Sequence, residues 1–144
     1  MSETSAAVGR TPWHLWAVGA LSFLWNAMGA ATIVMAQLGK LPNIDADEAA
    51  YYAAQPLWLV IATDIALFAA VFAAIALLLR SKLAVPLFAL SVIAIFVTNI
   101  YDLASAKSRM LTDQGALIMT IVIAVLAILQ LYYAFAMKRR SVLK

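Results

Sequence analysis

Four apolar runs, residues 13–38, 56–79, 83–100 and 116–137, contain no lysine or arginine. Each is close to the roughly 20 residues that an α-helix needs to cross a bilayer's hydrocarbon core. The chain of 144 residues is 66% hydrophobic and 12% charged, with a mean hydropathy of +0.96. Soluble domains run at about 45–50% apolar and about 25% charged. A soluble core of this size cannot hide the excess, so the lipid bilayer must be the solvent. The predicted fold is all-α: an antiparallel four-helix transmembrane bundle forming one integral membrane domain over 1–144.

The isoelectric point near 9.4 does not point to nucleic acid, because the basic residues flank the apolar runs instead of gathering on a polar face. There is no cysteine, which excludes disulfides, thiolate catalysis and Cys-ligated metals. The first run is longer than the about 7–15 apolar residues of a cleavable leader, so it is expected to be a retained span.

Lysine and arginine in short loops set membrane orientation. Arg10, Arg80, Lys82, Lys138, Arg139, Arg140 and Lys144 fall on one side. Lys40, Lys107 and Arg109 fall on the other, with Asp45, Asp47, Glu48, Asp102 and Asp113. Both termini are therefore expected in the cytoplasm. Spans two and three, joined by Arg80–Lys82, form a tight hairpin. Pro56 suits a first helical turn, Pro86 is expected to bend span three slightly, and Thr112 or Asp113 should cap span four.

The first outer loop, PNIDADEAAYYAAQP, predicts a short helix on the membrane surface. Asn43 or Asp45 would cap it, Asp47 and Glu48 sit in its favourable first turn, and Tyr51 and Tyr52 join an interfacial aromatic belt. The acids lack the glycine and distal glutamate of a calcium loop, so they read as solvated charge.

Helical spacing gives each span a stripe. Span one aligns Gly19, Ser22, Asn26, Gly29, Ala30 and Gln37; span three Ala84, Ser91, Thr98 and Asp102; span four Ala116, Thr120, Ala127, Gln130 and Ala134. Small and hydroxyl-bearing residues let helices approach and bond, so these stripes are expected to face one another. Span two carries Ala62, Ala66, Ala69, Ala73 and Ala76, while Asp64 points about 200° away from Ala62. A monomer buries one of these faces well. Either Asp64 faces inward and the alanines meet a partner, or the reverse. A homo-oligomer or larger membrane complex through span two is expected.

Asp64 is the one carboxylate well inside a run, about 12 Å from its outer end. A central Asp costs about 2.5–3.5 kcal/mol on insertion scales, against roughly −0.3 to −0.6 for each Leu, Ile, Val or Phe. Run two has thirteen of those. Insertion survives, so tolerance alone proves nothing. An intramembrane acid is still a default functional hypothesis, and desolvation favours its neutral, protonated form. Asn26, Thr32, Thr98 and Thr120 lie at comparable depth, and Trp25 is the one tryptophan deep enough to line a cavity. The functional reading is a proton-linked or polar-solute site of Asp64, Asn26, Thr32, Thr98, Thr120 and Trp25. The structural reading is a protonated Asp64 bonded to Asn26 or a partner helix.

Other chemistry is thin. His14, the only histidine, fits interfacial anchoring, and no triad or two-His metal site can be drawn. No enzyme activity, cofactor or metal is expected. The segments WHLWAVGALSFLWNAMGA (13–30) and RSKLAVPLFALS (80–91) carry Trp13, His14, Trp16, Trp25, Asn26, Gly29 and Pro86. In these the chain resembles small bacterial four-span proteins commonly labelled "sugar transporter", and Asp64 lies outside that pattern. The resemblance implies the bacterial inner membrane and a nominal link to sugar transport. The expectation is an oligomeric carrier or binding protein for a small polar solute; the alternative is a non-catalytic accessory or assembly subunit.

Overall fold

The computed structural model describes residues 10–105 and 113–144. Four long apolar helices make this a multi-pass membrane protein with an all-α bundle: α1 (Trp13–Gln37), α3 (Leu57–Leu78), α4 (Ala84–Ala104) and α5 (Gln114–Arg139). A fifth, α2 (Ala46–Ala53), occupies the loop between the first two spans, where the sequence predicts a short helix, with the Asp45 carboxylate accepting from the Glu48 amide at 2.7 Å. Asn43, the other candidate cap, instead takes a left-handed turn at φ 60. Lys107, Arg109 and Thr112 lie outside the described residues. Asp113 does cap α5, accepting from Gly115 N at 2.9 Å.

Helix ends depart from the hydropathy boundaries in two places. α4 runs on to Ala104, and α5 spans two residues more at each end than its run. Backbone bonding continues until a cap or an extended residue stops it, whatever the polarity of the next side chain. Pro86 sits in the first turn of α4, where a missing N–H costs no bond, so the first-turn rule written for Pro56 serves it too. Pro56 itself is the N-cap of α3.

α3 is the central helix, packed along both α1 and α4, and α4 in turn carries α5. Its alanines make this geometry. Ala66, Ala69, Ala70, Ala73, Ala74 and Ala76 are buried, so neighbouring backbones approach closely without large side chains between them. Opposite the α3 stripe, Ser91 Oγ donates to the Ala66 carbonyl at 2.7 Å. Gly19 of α1 lies against Leu78; a Cβ there would stand 2.5 Å from Leu78 Cδ2.

Span two takes neither expected arrangement in full: its alanines turn inward, but Asp64 does not turn out in exchange and stays half-buried. The partner surface expected on Ala62, Ala66, Ala69 and Ala73 is therefore corrected: Ala66, Ala69 and Ala73 are used inside the chain, and Ala62 is half-buried. The outward face of α3 is Ile61, Ile65, Phe68 and Phe72.

The core gathers at the basic end, where Leu15, Ala73, Leu77, Phe88, Ala134 and Met137 pack with Val142 and Leu143. The last two come from a tail that folds back over the helix ends. Its turn is a Schellman closure: Val142 N bonds Met137 O, Ser141 N bonds Lys138 O, and Ser141 takes φ 55. α3 ends the same way with Arg80 at φ 58. The two turns then meet. Lys144 N donates to Arg80 O at 2.7 Å, Lys82 N donates to Lys144 O at 3.0 Å, and Arg80 Nε donates to Val142 O at 3.2 Å. This is the bonding of a parallel strand pair with Lys144 opposite Ser81.

Candidate functional site

Asp64 keeps its place as the intramembrane acid. It is half-buried on α3, and its Oδ1 is shielded from solvent with no hydrogen-bond partner. Gln37 Nε2, on α1, is likewise shielded and unpaired. Gln37 lies five turns from Gly19 and so on the same line of α1, which faces α3 at Leu78. Counting from that contact along two antiparallel helices brings Asp64 level with Ile33, about 6 Å from the level of Gln37. An unused acceptor and an unused donor therefore sit on facing helices in the acidic half of the bundle.

The other expected site residues are spread out. Asn26 Nδ2 donates to Gln130 Oε1 at 3.0 Å, so the stripes of α1 and α5 do face each other, but Asn26 is engaged by Gln130. Thr32 is exposed and donates to Met28 O at 2.9 Å within its own helix. Thr98 does the same to Ile95 O at 3.0 Å. Thr120 is half-buried on α5, and Trp25 is 40% exposed on α1. The geometry thus brings the polar residues of α1 and α5 together without gathering all six around Asp64.

The cavity lies elsewhere, at the acidic end. About 440 Å³ is enclosed by α2, the start of α3, the end of α4 and Asp113. Asp45, Asp47, Asp102 and Asp113 bring carboxylates to it, and Tyr51, Tyr101, Gln55 and Ser105 bring hydroxyls and an amide. Leu59 lies on its floor, about 7.5 Å along α3 from Asp64. The walls are fixed by aromatic contacts. Trp58 meets Tyr101 edge-on with centroids 4.7 Å apart, and Tyr51 meets Tyr52 at 5.4 Å. The Tyr51 hydroxyl donates to Asp102 Oδ1 at 2.8 Å. Burial, then the bonded Asp102 carboxylate, push the Tyr51 pKa up to about 12. Tyr51 therefore stays a neutral donor at any physiological pH. Gln55 Oε1 is buried there without a partner. Among the described residues no three His, Cys, Asp or Glu side chains cluster to hold a metal ion.

The sequence reading placed Asp102 on an inward stripe and Tyr51 in a surface belt, but did not join them. No short-range pattern links residues 51 positions apart. The polar ends of α2 and α4 were the available signal. His14 gains a partner too: its Nδ1 and the Tyr133 hydroxyl form a hydrogen bond, with the rings edge-on at 5.8 Å. It ties α1 to α5 at the basic end, a helix-to-helix role different from the interfacial anchoring expected of it. No family model, curated protein or solved structure matches this chain.

Proposed function

We propose that this multi-pass membrane protein is a carrier or binding protein for a small polar solute, nominally sugar-like, with Asp64 as its protonatable group. The observation that carries the reading is the Asp64 Oδ1, held within a membrane span without a hydrogen-bond partner. A carboxylate in hydrocarbon is costly, and an unmatched one has its bonding capacity free for a solute or a proton. Gln37 Nε2 offers a complementary donor on the facing helix. The acidic pocket toward the same end of α3 carries carboxylates and hydroxyls that suit a solute rich in hydrogen-bond donors.

On this reading the chain is not an enzyme. It lies in a bacterial inner membrane with both termini cytoplasmic and the acidic pocket outside, following the excess of lysine and arginine at the opposite end. It works as a homo-oligomer, because four helices enclose little volume, and the contact uses Ile61, Ile65, Phe68 and Phe72 on the outward face of α3.

The test is uptake into proteoliposomes under an imposed pH gradient, with a panel of neutral sugars and cationic solutes. Asp64→Asn, which is nearly isosteric, is expected to abolish pH-dependent uptake while leaving expression and assembly intact. Asp64→Asn behaving as wild type across the panel overturns the assignment of Asp64.

One observation favours the accessory-subunit alternative. The most apolar stretch of α5 has none of its residues buried within the chain, so this helix has room for a foreign helix. Gentle purification decides between the two: a stoichiometric larger partner supports the accessory role, a self-oligomer with proton-sensitive uptake the carrier.

A further inference from the structure

We infer that the basic end of α5 carries a binding site for an anionic phospholipid, with the lipid phosphate held by Arg139 and Arg140. A groove of about 370 Å³ there is lined by Tyr132, Phe135, Ala136, Arg139 and Arg140. Tyr132, 71% exposed, lies about 160° around the helix from the fully buried Ala134, while Ala136 forms the inner edge of the groove, packed against the core. The groove therefore opens away from the bundle at Tyr132, Phe135, Arg139 and Arg140, and among the described residues no other element lines it. Its occupant comes from the surrounding membrane.

The chemistry of the lining selects the occupant. Two guanidiniums, both exposed and neither in a salt bridge among the described residues, stand at the polar limit of the span. Guanidinium forks match phosphate oxygens in geometry and charge. One to two turns deeper, Phe135 (47% exposed) and Tyr132 (71% exposed) offer an apolar floor at acyl-chain level. A phosphate head with a hydrocarbon tail meets both halves, whereas a free anion meets only one.

The surroundings add to this selectivity. All six described acids (Asp45, Asp47, Glu48, Asp64, Asp102 and Asp113) lie toward the other end of the bundle. Arg10, Arg80, Lys82, Lys138 and Lys144 reinforce the positive field beside the groove. A basic pocket at the polar edge of a span, with no described acid beside it, is the arrangement that holds anionic headgroups. The site would also steady the helix that needs it most, since α5 has the least internal burial of the four spans.

The probe is vesicles of phosphatidylglycerol mixed equally with phosphatidylcholine. The full chain is extracted from them gently and its retained lipid read by native mass spectrometry. Wild type is expected to retain phosphatidylglycerol selectively. Arg139→Gln with Arg140→Gln should lose about thirtyfold in retention, the worth of two basic residues beside an anionic lipid. The control pair, Arg10→Gln with Lys82→Gln, removes the same charge outside the groove and should lose far less retention, because it weakens only the surrounding field. Phe135→Ala, which keeps every charge, should weaken retention and guards against a misfolded arginine variant. Equal loss in both charge pairs would mean diffuse attraction and overturn the site. So would retention of phosphatidylcholine equal to that of phosphatidylglycerol, or displacement of the lipid by millimolar inorganic phosphate.

Discussion

Tyr51 illustrates how a single side chain can organise an otherwise solvated end of the molecule. Its hydroxyl bridges α2 to α4 through Asp102, and burial with that carboxylate holds the phenol neutral up to about pH 12. The raised value means that the neutral form stabilises the folded arrangement. That contribution is intact below the ordinary tyrosine range near 10 and is lost as pH climbs through about 12. Alkaline titration followed by ultraviolet absorbance should show a tyrosine step near pH 12, and Tyr51→Phe should remove it. Without the hydroxyl α2 loses its hydrogen bond to α4, so the pocket should admit small probes faster. At the same scale, the sequence exposed Asp64 as an anomaly because a lone acid among apolar neighbours is conspicuous. It did not show which way the residue turns. Orientation depends on how tightly alanines pack against α1 and α4, which is a property of three helices together.

The tail shows the limit of periodicity at the scale of elements. Four spans were legible because length and hydropathy are long-range signals, repeated over twenty residues. Val142, Leu143 and Lys144 are too few to carry any period and read simply as the end of a basic tail. Yet Val142 is 3% and Leu143 2% exposed, inserted beside Leu77 and Phe88. Burying a leucine of this kind contributes about 1.5–3 kcal/mol where the alternative is water. Leu143→Asp is therefore expected to cost about 2–3 kcal/mol or more, since it also drives a charge toward an apolar seat. Thermal unfolding in mild detergent should report it as a clearly lower midpoint. Lys144→Ala should leave the midpoint nearly unchanged, because residue 144 joins the turn through its backbone amide and carbonyl. An unaltered midpoint in Leu143→Asp would mean that the tail does not close the bundle.

For the whole molecule, the two ends differ in kind. The basic end is closed by side chains and the folded tail; the acidic end is open, polar and held by aromatic pairs. The antiparallel run of four helices puts the α3–α4 turn and α2 on opposite sides of a bilayer. A chain without cysteine lets this be tested directly. In intact cells a membrane-impermeant maleimide should label Ala49→Cys, while Lys82→Cys should react only after lysis. Equal labelling of both in intact cells would rule out a bilayer between them, and the reverse pattern would invert the orientation proposed above.

The closure at the basic end has a temporal side. Arg80 and Val142 are 62 residues apart, so the α3–α4 turn leaves the ribosome long before its clasp exists. Through that interval the Arg80 carbonyl and the Lys82 amide can only be hydrated, and the mouth above Phe88 stays uncovered. In the order of synthesis residues 142–144 are therefore a late fastening, reaching a turn whose two flanking helices were made before them.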